Sequence, residues 1–189
     1  MAGEVRESMI DGAMLLLAQR GPDATSFSEI IATTGAPRGS LYHHFPNGKE
    51  QLIAAAVDKA GSVLIEAMEQ SAGKSASEVV ERFLAIWRYV LTRSDCSSGC
   101  AVLAVTVSTN SSELLVHATS VFRTWRARLA ELLEQGGLPV AHTLRFATMM
   151  IATVEGAVVL SRAEQNIEPF ESVAAYLLEQ VRTMIDMKD

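Results

Sequence analysis

Cysteine is almost missing from this sequence. Cys96 and Cys100 are the only two among 189 residues, which excludes a disulfide-stapled scaffold and a zinc site built from four cysteines. Positive charge is scarce as well: 16 lysines and arginines face 22 acids, a formal net charge of −6. That balance excludes a protein that holds nucleic acid by bulk charge. No run of about 20 uncharged apolar residues is available to span a bilayer. The nearest approach, residues 146–160, is short and is interrupted by Glu155. The opening Met1 to Glu7 is polar and acidic, without the basic segment and apolar run of a secretory signal. A cytoplasmic location and no membrane partner are expected.

What is present is apolar mass in helical order. Hydrophobic residues make up 49% of the chain, and its length predicts one domain, or two small ones sharing a core. Such a chain can bury a core without disulfides or metals. Ile10, Met14, Leu17 and Ala18 follow helical spacing up to Gly21-Pro22. Ser26-Phe27-Ser28-Glu29 reads as a capping box, with Glu29 reaching back, opening a short helix from Phe27 to about Thr34. Pro37 suits the first turn of the next short helix, and Pro46 ends it near Phe45.

Longer helices follow: Lys49 to Glu69, one opened by a second capping box at Ser75 to Glu78, and one from residues 110–112 to Gln135. A very apolar helix runs from Pro139 or Val140 to about Gln165, and a last one starts at Pro169. Ala101 to Val107 is rich in β-formers, yet one isolated stretch makes no sheet, so helix is expected there too. The fold class is all-α, with about nine helices.

Two short helices joined by Thr34-Gly35-Ala36-Pro37 form a helix-turn-helix pattern over about residues 26–45. Leu41 and Phe45, four apart, face a core beneath. Arg38, Gly39, Ser40, Tyr42, His43 and His44 remain on the outer faces, as hydrogen-bonding groups, an aromatic and a glycine suited to phosphates and base edges. Lys49 stands at a helix N-terminus, which also favours a phosphate. Charge does not single out DNA: in residues 1–50, Arg6, Arg20, Arg38 and Lys49 face six acids, a balance of −2.

The run Ser26-Phe27-Ser28-Glu29-Ile30-Ile31, then Thr34-Gly35-Ala36-Pro37-Arg38-Gly39-Ser40-Leu41-Tyr42-His43-His44-Phe45, then Gly48-Lys49-Glu50-Gln51-Leu52 closely resembles the DNA-binding domain of TetR-family transcriptional regulators. The likeness covers roughly residues 4–55. Pro37 departs from it, standing where the family most often has serine or threonine. Gly35 to Pro46 looks like the LmrA/YxaF-like branch, and Gly99 to Val102 and Glu155 to Ala157 resemble that branch's second domain more weakly.

The resemblance implies a three-helix DNA-binding domain in residues 1–50 and a helical effector-binding and dimerisation domain in residues 51–189. It places Ser40, Tyr42 and His43 in the groove. Tyr42, His44, Lys49, Ser26 and Ser28 fall at phosphates. Whether Arg38 or Ser40 reads a base stays open.

A single short helix in one groove carries little specificity, so a homodimer on a pseudo-palindromic double-stranded operator is expected. Leu144, Ala147, Ile151, Val154 and Val158 form one apolar stripe; Val173, Leu177, Val181 and Met184 form another. Either the two close a four-helix dimer seam, as the family does, or they close only the protomer's own core. Phe83, Trp87, Val102, Phe122, Trp125, Phe146, Met149 and Met150 are candidates for an apolar effector pocket, against the plain alternative of core packing. Glu155, a carboxylate inside an apolar helix, needs a partner: a ligand group, an arginine such as Arg145 or Arg162, or the dimer seam.

Cys96 and Cys100 would share a face if both were helical, and small buried hydrophobes are the ordinary reading of such residues. His117 and His142 have no ligand-like spacing with them, so no metal and no cofactor are expected. No Ser/His/Asp grouping, phosphate loop or carboxylate pair suggests catalysis. The expected function is a ligand-released transcriptional repressor. The alternative is an all-helical small-molecule-binding protein or enzyme whose helix-turn-helix is structural.

Overall fold

The computed structural model describes residues 2–186. The helices are α1 (Ala2–Arg20), α2 (Phe27–Thr34), α3 (Arg38–His44), α4 (Lys49–Glu69), α5 (Ala76–Arg93), α6 (Ala101–Ser108), α7 (Ser112–Gln135), α8 (Val140–Glu164) and α9 (Glu168–Asp186). No strand occurs among the described residues. The β-rich stretch after residue 100 is helical, as expected: Cys100 caps α6, its Sγ accepting the Leu103 N–H at 3.3 Å.

The two capping boxes differ. At Ser75 both halves form, with Glu78 Oε2 accepting the Ser75 N–H at 2.9 Å. At Ser26 only the forward half forms, the hydroxyl accepting the Glu29 N–H at 3.2 Å. The Glu29 carboxylate turns instead to Arg20, at 3.1 Å. A guanidinium nearby gives a carboxylate a stronger partner than one backbone N–H.

The chain divides into two compact units. The first holds residues 2–62 and 100–122, where α1 packs against α2, α3 and α6. Met9, Leu17, Ile30, Leu41, Phe45 and Leu52 are buried in its core. The Arg6 guanidinium lies 5.4 Å from the centre of the Phe45 ring. Between α4 and α7, Asp58 pairs with His117 Nδ1 at 2.9 Å, and Gly61 admits Val121, whose Cγ2 would stand 2.9 Å from any Cβ there.

The second unit holds residues 63–99 and 123–186, built on α8 against α9 and both against α5. Phe83, Trp87, Trp125, Phe146, Met150 and Phe170 are buried there. α8 has the length and apolar composition of a bilayer span, but half of it is buried in the fold and it encloses Glu155. Cys96 sits in a turn with φ 56° and Cys100 at a helix cap, so no helix puts the two on a common face.

Arg88 ties α5 to α9 through both carboxylate oxygens of Glu171, at 2.5 and 2.7 Å. The hydrogen bonds from Arg88 hold the Glu171 pKa below its ordinary value. A lowered folded-state pKa adds stability above the unfolded value, and that stability is lost as pH falls through the folded one. Both side chains are more than a third exposed, so solvent screening keeps the pair near 0.5–1 kcal/mol, roughly. Glu171→Gln should therefore lower urea stability by about that much at pH 7 and make little difference in strong acid. An equal deficit at both pH values would rule out the ion pair as its source.

Candidate nucleic-acid interface

The turn between α2 and α3 is built by three local devices. Gly35 closes α2 in the left-handed region at φ 68°, its N–H reaching Ile31 O at 2.9 Å. Thr34 Oγ1 donates to Ile30 O at 2.7 Å and accepts the Ala36 N–H at 3.3 Å. Pro37 stands one residue ahead of the first turn, at the cap position of α3, with no side-chain cap bond. Leu41 and Phe45 are fully buried and pin α3 to the core. The opposite side carries Arg38, Gly39, Tyr42 and His43, all exposed, with Ser40 and His44 half-buried.

Tyr42 is 70% exposed, and the Phe27 ring meets it edge-on with centroids 5.7 Å apart. An aromatic held this way loses less freedom when it binds. Phe27 was not among the residues singled out in the sequence, because the pair spans two helices and has no sequence spacing of its own. Ser26 caps α2 and is half-buried, and Ser28 is exposed in its first turn. Lys49 begins α4 and its Nζ donates to Pro22 O at 2.6 Å. The acids of this unit are partly engaged: Glu29 with Arg20, and Glu7 with Arg6 at 3.3 Å and Lys59 at 3.5 Å.

Of the effector candidates, Phe83, Trp87, Trp125, Phe146, Met150 and Glu155 are buried in the second unit and Met149 is half-buried there. Val102, buried, and Phe122, half-buried, belong to the first unit. The Trp87 Nε1–H is buried with no hydrogen-bond partner among the described residues. Of the dimer candidates, Ile151, Val158, Leu177 and Val181 are buried within the protomer, Val173 is half-buried and Leu144 is 58% exposed. Between residues 144 and 160, α8 leaves Leu144, Arg145, Ala152, Thr153, Gly156, Val159 and Leu160 exposed. Periodicity alone does not separate the two faces of such an apolar helix. No group of three metal-ligating side chains occurs among the described residues.

A short helix presenting donors beyond a glycine turn, locked from below by two apolar residues, defines a helix-turn-helix protein. Residues 9–56 match the bacterial regulatory proteins of the tetR family, and residues 76–176 match the C-terminal domain of LmrA/YxaF-like transcriptional regulators. The chain belongs to the tetR family of transcriptional regulators, in its LmrA/YxaF-like group. An HTH-type transcriptional regulator of Mycobacterium tuberculosis is 31% identical, over 89% of each chain. The Bacillus subtilis regulator LmrA is 28% identical over 92% of this chain and 94% of its own. A crystal structure of the regulatory protein TetR from Rhodobacter sphaeroides has the same fold, with TM-score 0.82, 20% identity and coverage of 92% and 96%. The family and these relatives are DNA-binding transcriptional regulators, not enzymes.

Proposed function

We propose that this protein is a cytoplasmic, ligand-released repressor that binds a pseudo-palindromic operator as a homodimer. Residues 1–50 read the DNA and residues 51–189 pair the protomers and take the effector. The observation that carries the reading is the face of α3: exposed Arg38, Tyr42 and His43 over fully buried Leu41 and Phe45. Arg38 and Ser40 are the base-reading candidates, Gly39 leaves room for close approach, and His43 enters the groove beside them. Ser26, Ser28, Tyr42 and His44 meet phosphates.

The dimer rests on α8, whose exposed and half-exposed positions from Thr148 to Leu160 carry no charge. Apolar faces of that kind are uncommon on monomers. A second copy covers it, in a four-helix arrangement of α8 and α9. Leu144 and the half-buried Val173 flank that seam, while Ile151, Val158, Leu177 and Val181 support it from within.

The effector is small and largely apolar. Phe83, Trp87, Trp125, Phe146, Met149, Met150 and Glu155, all in the second unit, supply its site. Support comes from Trp87: a buried N–H without a partner costs about 1–3 kcal/mol, and an acceptor on a bound molecule removes that cost. Effector and operator then weaken each other by the same free energy.

Gel shift on DNA from upstream of the protein's own gene tests the reading. Arg38→Ala and Tyr42→Ala each lower affinity by about 10- to 100-fold, the range for one good base contact or one hydrogen bond to a charged phosphate. Both positions are exposed, so melting temperature should hold. Unchanged binding by both variants removes α3 as the reading helix.

A further inference from the structure

We propose that Lys49 is a positioning residue that braces the reading head, and not itself a phosphate ligand. Its Nζ donates to Pro22 O at 2.6 Å, across 27 positions of sequence. The same carbonyl accepts the Thr25 backbone N–H at 3.2 Å, so both of its lone pairs are engaged. Thr25, fully buried, donates through Oγ1 to Gly21 O at 2.8 Å. This tight turn leads directly into Ser26, the cap of α2.

Lys49 itself follows the turn that leaves α3. One ammonium therefore joins the segment entering the helix-turn-helix to the segment leaving it. Pro22 is buried and Lys49 half-buried, where a charge-assisted hydrogen bond is stronger and less screened than on open surface. The bond fixes how the N-terminus of α2 and the outer face of α3 are placed together, so that both meet one stretch of duplex. The proposal rests on α3 being the reading helix.

The test uses the full chain as wild type, Lys49→Met and Lys49→Arg, titrated against a duplex from upstream of its own gene between about 50 and 200 mM salt. Lys49→Met should lose about tenfold in affinity at every salt concentration, with the slope of log affinity on log salt unchanged. Lys49→Arg, which can also donate to Pro22 O, recovers most of the loss. A lost phosphate contact would instead flatten the slope by about 0.9 per protomer, which overturns the proposal, as does unchanged affinity.

In the free protein, the Thr25 amide should exchange faster with deuterium in Lys49→Met than in wild type; equal exchange also overturns the proposal. If Lys49→Met does not fold, Lys49→Gln takes its place in both measurements. Arg38→Ala and Tyr42→Ala run alongside. If neither changes binding, the reading helix is misassigned, and the exchange measurement still decides the brace.

Discussion

Gly156→Arg is expected to give a folded protomer that no longer pairs and no longer holds its operator. A glycine inside a helix costs about 1 kcal/mol relative to alanine, so its presence in the middle of α8 needs a reason. None lies inside the protomer, since a Cβ built on Gly156 meets no atom within 4 Å. Its neighbours on the same face are Ala152, Val159 at 50% exposure and Leu160 at 53%. The proposed two-fold contact sets that face against its own copy, where glycine lets the two backbones come close.

Arginine there adds bulk and brings two like charges together in an apolar seam. Sedimentation should report the mass of one chain, with helical circular dichroism retained. Operator affinity should fall by about 1,000-fold, toward the non-specific level. Gly156→Ala, whose methyl meets nothing within the protomer, is the control for protomer folding. A Gly156→Arg protein that still sediments as a dimer would place the seam elsewhere.

Much of the helical frame was legible because its signals are local. Capping residues, prolines and apolar spacing act within a few positions, and α2 and α5 begin where Ser26 and Ser75 cap them, whereas the Cys100 cap of α6 carries no such signal. The back half of the Ser26 box was not legible, because Arg20 competes for Glu29 from another helix. The Arg88–Glu171 pair spans 83 positions and leaves no trace in sequence spacing. Nor does the chain's division into units, in which α4 and α7 each contribute to both.

The candidate site divides along the same line. The outward set on α3 follows from Leu41 and Phe45 lying one turn apart, which is a local fact. What holds that set in place is tertiary: Phe27 against Tyr42, and Lys49 on Pro22. α8 shows a second limit. A helix apolar on both sides repeats every three or four residues whichever face is counted, so Ile151 and Val158 carry the same signal as Leu144 and Leu160. Only packing against α9 separates the protomer's share from the outward face.

Gly136→Ala should be the most destabilising single methyl group that can be added to the second unit. Its Cβ would fall 2.4 Å from the Ala76 N and 2.8 Å from both Ala76 Cα and Ser75 C, all backbone atoms. Those atoms cannot turn aside as a side chain does, and Ala76 N–H also donates to Gly136 O at 2.9 Å. Relief requires moving the start of α5, which breaks that bond and disturbs the capping box at Ser75.

The expected loss is about 3 kcal/mol, or a fall in Tm of about 6–12 °C for a chain of this size. Gly156→Ala makes the contrast: the same methyl in open space should leave the protomer as stable or more so. Operator affinity at low temperature should survive Gly136→Ala, since the proposed reading helix, α3, belongs to the other unit. Response to the proposed effector should weaken, because α5 carries Phe83 and Trp87, two of the residues proposed to hold it. If Gly136→Ala melts with the wild type, the close approach of residues 75–76 to residue 136 does not hold in solution.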